Sequence, residues 1–164
     1  MIGANWGATP SERATTMACD ALAPRASVRA DRAITVDAPP GVVFDWLCQL
    51  RRAPYSYDLV DNFGRRSPRE RDTALRRLTV GQRFMTLFEL VSFADDEHIT
   101  LRSKAVVVTY ALRAHGAGCR LHARVLFDMP SLAARALAAG DWVMMRKQLL
   151  TLKSLAEREF ATAH

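Results

Sequence analysis

The sequence lacks the features that mark several large classes of protein. No stretch approaches the roughly 20 consecutive apolar residues that a membrane span requires. The first residues show no basic segment followed by an apolar one, so we expect no export signal. The three cysteines, Cys19, Cys48 and Cys119, are odd in number and have no metal-site spacing. Cys48 and Cys119 fall among apolar positions, where a reduced cysteine packs as a small hydrophobe. These features together predict a cytoplasmic protein with reduced thiols.

The sequence signatures of common catalytic and nucleotide-binding sites are also missing. There is no Walker loop, no Gly-x-Gly-x-x-Gly, no His-Glu-x-x-His, no Gly-x-Ser-x-Gly and no Cys-x-x-Cys. The four histidines are scattered without a metal-binding pattern, and we expect His98 and His122 to lie at the surface on the polar faces of strands. We therefore expect neither a bound metal nor a cofactor.

Lysine is scarce, and the positive charge is concentrated in one segment. The chain has 3 lysines against 20 arginines and a net charge of +6. Nine of the arginines lie between Arg51 and Arg83, where only four acidic residues accompany them. Such a segment can attract nucleic acid or anionic ligands, but its arginine-rich part, 64–78, contains no aromatic residues that would stack on bases. We expect a solvated charged loop, with no nucleic-acid partner.

The length and composition favour one globular domain. The 164 residues are 49% apolar and 24% charged, which suffices for one core. Residues 1–29 are predicted to form an arm that packs on a domain formed by residues 30–164. Within the arm, Thr9-Pro10-Ser11-Glu12 is typical of a short capped helix. Trp6 just before it either anchors the arm or lies partly exposed.

The hydrophobic periodicity predicts a strand and a helix, then a meander of strands, and finally a long helix. The first strand is predicted at 33–36 and the first helix at 41–50, with a buried face at 3–4 spacing. A second helix is predicted from Asp141, as its N-cap, to Phe160, while the alanine-rich 130–140 is ambiguous. Four runs between them alternate with period two: 83–93, 99–104, 105–113 and 120–127. In the last run the apolar face alternates with a charged, wet one that includes His122 and Arg124.

This order of elements predicts an α+β fold in which a curved antiparallel sheet wraps around the C-terminal helix. A bent sheet of four to six strands cannot fill the space beneath the helix with backbone, so that space is either packed or left as a pocket. We predict an apolar cavity there. Its predicted wall residues are Trp46, Tyr55, Tyr57, Phe84, Phe88, Tyr110, Phe127, Trp142, Met145 and Leu149.

Several motifs resemble the SRPBCC superfamily, the START-like proteins related to polyketide cyclases and dehydrases. They are Ile34-Thr35-Val36-Asp37-Ala38-Pro39-Pro40 leading to Val43-Phe44-Asp45-Trp46-Leu47, then Tyr55-Ser56-Tyr57-Asp58, Gly64-Arg65-Arg66-Ser67-Pro68 and Gly140-Asp141-Trp142-Val143-Met144-Met145. The resemblance covers about Ala30 to Phe160 and implies a helix-grip fold with a deep cavity between sheet and helix. It implies no single activity, because the superfamily includes lipid carriers, hormone receptors and cyclases.

Tyr57, Asp58 and Glu89 are candidates for proton transfer. Tyr57 and Asp58 can act as proton donor and base at the mouth of a cavity, or they can pack at its rim and cap a turn. Glu89 interrupts an apolar strand and is either a buried proton carrier or an outer carboxylate beside an arginine.

Three arginines form a basic group that can lie over the entrance of the cavity: Arg65, Arg66 and Arg69. They can attract an anionic group of the ligand.

The sequence therefore favours a protein that binds a small hydrophobic molecule, lipid-like or polyketide-like, which can carry an anionic group. The alternative is an enzyme of the polyketide cyclase or dehydrase type, and whether any reaction is catalysed stays open. We expect a monomer or a homodimer.

Overall fold

The computed structural model describes residues 3–56 and 65–164. The chain forms seven strands, four α-helices and two short 3-10 turns in that part. In chain order the elements are β1 (Asn5–Trp6), α1 (Pro10–Ala14), α2 (Ala18–Leu22), β2 (Val28–Val36), α3 (Pro40–Cys48), 3-10 turns at Gln49–Arg51 and Thr73–Arg76, β3 (Arg83–Phe84), β4 (Phe88–Ala94), β5 (His98–Arg102), β6 (Val106–His115), β7 (Gly118–Phe127) and α4 (Ser131–Thr162).

One curved sheet contains all seven strands, in the order β1-β2-β7-β6-β5-β4-β3. Strands β3 to β7 form an antiparallel meander, β2 joins it beside β7, and β1 pairs in parallel with the free edge of β2. The predicted α+β helix-grip fold is confirmed, with more strands than the four to six predicted. The extra strands are the two-residue β1 and β3, which are too short to show a period.

Three predicted elements differ from the structure by an interruption or by more than two residues. The run predicted at 83–93 is divided by a turn, in which Met85 and Thr86 have φ angles of 47° and 67°. Strand β2 begins at Val28 instead of at residue 33, so it crosses the predicted boundary between arm and domain. Helix α4 is continuous from Ser131, and Asp141 therefore lies within it and is not its N-cap. Alanines of 133–139 supply the highest helix propensity, which outweighs the cost of about 1 kcal/mol for Gly140.

The core lies between the inner face of the sheet and the helices α3 and α4. The predicted apolar face of β7 points inward, from Cys119 to Phe127, and each of its residues is buried. Helix α3 contributes Phe44, Trp46 and Leu47 to the same core. All three cysteines are free and buried, and burial raises the pKa of Cys48 to about 12 and that of Cys119 to about 11. Thiols so protected are poor nucleophiles near neutral pH.

The N-terminal arm covers the outer face of β2, β6 and β7. Helix α1 has the predicted capping box, in which Thr9 and Glu12 bond to each other's backbone N–H. Gly7 has a φ of 72°, and a Cβ there would lie 2.2 Å from the carbonyl oxygen of Ala33, so only glycine allows this approach. The Trp6 ring is half-buried and packs on the core beneath the guanidinium of Arg146, 5.6 Å away.

The arm makes the predicted wet face of β7 a buried one. His122 was predicted to lie at the surface, and this is wrong: its ring nitrogen Nε2 lies 2.8 Å from Asp31 Oδ1, and both side chains are buried. Arg124 is fully buried, and its Nε donates to the same oxygen at 2.9 Å. Its Nη atoms donate to Asp20 and to the carbonyls of the arm at 12, 13 and 15. Burial opposes ionisation of Asp31, but the bonds from His122 and Arg124 hold its pKa at about 2.

Among the described residues, no helix is long and apolar enough to cross a bilayer.

Candidate functional site

Four polar side chains lie between the sheet and helix α4, within an otherwise apolar interior. Arg32 comes from β2 and Tyr110 from β6, while Asp141 and Gln148 come from α4. Arg32 and Tyr110 stand in the same row of the sheet, because both pair with Ala123 of the intervening strand β7. Side chains directly opposite each other in an antiparallel sheet share a face. Ala123, a small residue, therefore lies between these two long polar side chains in the row.

Arg32 has no solvent exposure, and its hydrogen bonds are incomplete. Nη1 donates to the carbonyls of Ala4 and Asp31 at 3.3 and 3.2 Å, and Nη2 donates to Asp141 Oδ2 at 3.3 Å. Its Nε finds no hydrogen-bond acceptor among residues 3–56 and 65–164. A buried N–H without a partner costs roughly 1–3 kcal/mol, which makes this donor unusual. Burial lowers the pKa of Arg32, whereas the charges of Asp141 and Asp31 oppose that shift.

Asp141 reaches inward from the middle of α4. Its side chain is 23% exposed, and Arg32 supplies its ion pair. Burial raises the pKa of Asp141 to about 6, although the Arg32 guanidinium pulls that pKa down. The carboxyl group therefore changes its charge close to physiological pH. Such a shifted carboxyl in an interior site is able to exchange a proton with a neighbour.

Tyr110 and Gln148 join the sheet to the helix. The Tyr110 hydroxyl donates to Gln148 Oε1 at 2.6 Å, and Gln148 Nε2 donates to the carbonyl of Pro54 at 2.7 Å. Burial raises the pKa of Tyr110 above its usual range, and the charge of Asp141 adds to the rise. Tyr110 is therefore a neutral phenol, whose ring lies in the core and whose hydroxyl belongs to the polar cluster.

The predicted wall residues fall into two groups. Most of them are buried in the core: Trp46, Tyr55, Phe84, Tyr110, Phe127, Met145 and Leu149. Phe88 and Trp142 are only half-buried. Phe88 lines a groove on the sheet, and Trp142 lies against Gly3 of the arm. Tyr57 and Asp58 lie outside the described residues, so the wall is described in part and the cavity stays a prediction.

Two open grooves are formed by described residues away from this interior. One, of about 340 Å³, lies beside the C-terminal half of α4 and is lined by Trp46, Arg69, Glu70, Arg71, Thr73, Leu155, Arg158, Glu159 and Thr162. The other, of about 430 Å³, lies along β4 and is lined by Arg83, Leu87, Phe88, Glu89, Val91, Arg102, Ser103 and Lys104. Glu89 is exposed there and pairs in register with Arg83 and Arg102. Of its two sequence interpretations, the outer carboxylate beside an arginine is the correct one.

Part of the arginine-rich segment is held by acidic residues. Both Arg71 and Arg76 bind the carboxylate of Asp45 on α3. Arg71 also binds Glu159 at 2.6 Å, and Arg76 binds Asp96 at 2.8 Å. These pairs fasten the segment to both helices and reduce its attraction for polyanions. Arg65, Arg66 and Arg69 are exposed, and Arg69 lines the groove beside α4. Their role at an entrance stays a prediction.

Sequence reasoning missed Arg32, Asp141 and Gln148 as site residues. Arg32 alternates with Ala30 and Ile34 on the apolar face of β2, a signal that appears only when the strand begins at Val28. Asp141 precedes Met145 and Leu149 at four-residue spacing, which puts it within the buried stripe of α4. In both cases the signal is a charged residue at an apolar position.

Metal ligands are not grouped in this part of the molecule. The residues of 3–56 and 65–164 contain no group of three or more His, Cys, Asp or Glu side chains that could hold a metal ion.

The fold recurs in solved bacterial structures of low sequence identity. Protein NE0264 from Nitrosomonas europaea matches with a TM-score of 0.55 at 11% identity, over 82% of this chain and 97% of that one. Protein MLL2253 from Mesorhizobium loti matches with a TM-score of 0.55 at 14% identity, over 79% of this chain and 97% of that one. The di-domain ARO/CYC StfQ from the steffimycin biosynthetic pathway gives a TM-score of 0.49 at 12% identity, over 80% of this chain and 51% of StfQ.

No protein-family model matches the chain, and no curated protein matches it. Likeness at these identities establishes the fold alone. The helix-grip fold expected from the sequence is confirmed at that level.

Proposed function

We propose that the protein binds a small hydrophobic molecule between the sheet and helix α4, with the polar group of that molecule on Arg32. The observation that carries the proposal is the buried Arg32 Nε, which has no acceptor among the described residues. A ligand oxygen would satisfy this donor. The surrounding core residues supply the apolar contacts that dominate small-molecule sites.

The row across the sheet gives a specific place for the ligand. Ala123 is a small residue between two long ones, and Ala134 and Ala138 of α4 are also buried. Small side chains occupy less of the interior than larger ones would. A guest above Ala123 would reach both the Arg32 guanidinium and the Tyr110 hydroxyl.

The test is displacement of a lipophilic fluorescent dye from the wild type and from two leucine variants. Ala123→Leu adds side-chain volume between the sheet and helix α4, and it is expected to abolish dye binding. Ala33→Leu is the matched control, because Ala33 is a buried alanine on the outer face of β2, and it is expected to keep binding. Both variants carry a similar overpacking cost, of about 1–3 kcal/mol. Equal binding by both variants would count against an interior site.

A second candidate function, a cyclase or dehydrase-type activity, is favoured by Asp141. A carboxyl group with a pKa raised to about 6 is suited to remove a proton next to a carbonyl. The neutral Tyr110 hydroxyl can donate to the oxygen that gains charge. Tyr57 and Asp58 stay the candidates from the sequence.

Turnover of a polyketide-like substrate tests this candidate. Asp141→Asn is expected to abolish turnover while binding is retained. Tyr57→Phe and Asp58→Asn test the sequence candidates in the same assay, and an unchanged rate in all three variants would remove these residues from any mechanism. The cytoplasmic location and the monomeric or homodimeric state stay predictions.

A further inference from the structure

The guanidinium of Arg32 presents an incompletely occupied edge to the interior. The Nε and Nη2 atoms of an arginine lie on one side of the planar group, and together they match the two oxygens of a carboxylate. In this structure that edge has a single long contact, from Nη2 to Asp141 at 3.3 Å, while Nε has no acceptor among the described residues. The opposite atom, Nη1, is already occupied by two backbone carbonyls.

Deepening the proposed ligand site, and resting on it, we propose that the ligand is a small apolar carboxylic acid. Its carboxylate binds Nε and Nη2 of Arg32 side-on and replaces Asp141 as the counterion. Its hydrocarbon part lies over Ala123, among the core residues.

The charges of the site favour an acid over other ligands. Arg32 is fully buried and has one side-chain partner within residues 3–56 and 65–164, so an incoming anion gains a strong, weakly screened attraction. A neutral ligand would leave the long contact to Asp141 in place and satisfy Nε alone. A cationic ligand would be repelled by the guanidinium.

Binding of the anion is coupled to a proton on Asp141. The groups that face this carboxyl are Arg32 from β2 and Tyr110 from β6. On α4 itself, Arg146 is turned away onto the Trp6 ring. Two carboxylates beside one arginine repel each other, and one of them takes up a proton. Asp141 is the one prepared for this, because burial already raises its pKa to about 6. Asp141 is therefore a positioning residue that sets the pH range of binding.

The experiment compares two acids with their methyl esters. The probes are naphthalene-2-carboxylic acid and dodecanoic acid, and binding is measured by calorimetry and native mass spectrometry at pH 5.5 and pH 8. We expect wild type to bind the acids at least about tenfold tighter than the esters at pH 5.5, as a charge-assisted pair requires. The preference should shrink at pH 8, where ionised Asp141 competes for Arg32.

Variants separate this inference from the proposed function. Asp141→Asn should keep the preference for acids at both pH values and lose its pH dependence. Arg32→Gln should bind acid and ester alike, and Arg113→Gln, an exposed arginine on β6, should behave as wild type. If Arg32→Gln does not fold, the acid preference of Asp141→Asn at the two pH values tests the inference instead.

Equal affinity of wild type for acid and ester would overturn the carboxylate inference and leave the hydrophobic site intact. A wild-type preference that is independent of pH would overturn the role of Asp141. If neither acids nor esters bind, the proposed function fails together with the inference.

Discussion

Arg32 and Tyr110 stand on either side of Ala123 in one row of the sheet, and α4 places Asp141 and Gln148 against them. The side chains of Arg32 and Tyr110 are not exposed to solvent. A buried polar group is costly unless it is bonded. Burying these polar side chains therefore costs folding free energy at one place in the core. Such costly arrangements cluster at functional sites.

The stability of the protein should depend on pH through Asp141. Its folded pKa, about 6, lies above the ordinary value of 3.8. The protonated form therefore stabilises the fold below pH 4, and this contribution is lost as pH rises to 6. We expect the free energy of unfolding to fall by about 2–3 kcal/mol over that range because of this group.

Asp141→Asn checks this expectation in urea titrations at several pH values. The advantage of the variant over wild type should grow from pH 4 to pH 6 and then stay constant. A difference between the two proteins that does not change with pH would show that Asp141 titrates normally.

The bond between Tyr110 and Gln148 should contribute to stability as a pair. Tyr110→Phe leaves Gln148 Oε1 without its donor inside the core and should cost about 1–2 kcal/mol. Gln148→Met should cost a similar amount, because the Tyr110 hydroxyl and the Pro54 carbonyl lose their partner. The double variant should lose less than the sum, and the cycle, measured by denaturant unfolding, reports the coupling. Strict additivity would contradict a direct bond.

The arm should depend on Arg124 for its attachment. Arg124→Met removes the buried partner of Asp20 and leaves Asp31 with His122 and Arg29, and it should cost about 3–5 kcal/mol. Arg113→Met, at an exposed position on the same outer face, should cost less than about 0.5 kcal/mol.

Protease sensitivity of residues 3–27 measures the same event locally. Cleavage in the arm should increase in Arg124→Met and stay at the wild-type level in Arg113→Met. An arm that resists cleavage equally in both variants would mean that Arg124 does not hold it.

The sequence predicted the parts of this fold that repeat with a clear period. Strand β7 alternates over ten residues, and the structure confirms which of its residues point inward. The prediction of a solvated outer face was wrong, because α1 and α2 cover that face and supply hydrogen-bond partners for Arg124. No local pattern in β7 shows what a distant segment places on it.

The candidate site was harder to predict because its residues contradict their surroundings. Arg32 lies on an apolar face, and Asp141 lies within an apolar stripe after Gly140, where local rules place a helix start. Tertiary contacts decide both positions. The interior accepts these two charges only because Arg32 and Asp141 form an ion pair between the sheet and α4. Local rules therefore describe the scaffold better than the site that departs from them.

NMR can show whether a ligand occupies the interior above Ala123. Naphthalene-2-carboxylic acid is titrated into protein labelled to observe alanine and leucine methyl groups and arginine Nε–H. The expected result is a saturable shift of the Ala123 methyl and the Arg32 Nε–H, with Ala33 on the outer face unchanged. Shifts confined to Leu87 and its exposed groove, with Ala123 and Arg32 unmoved, would contradict an interior ligand site.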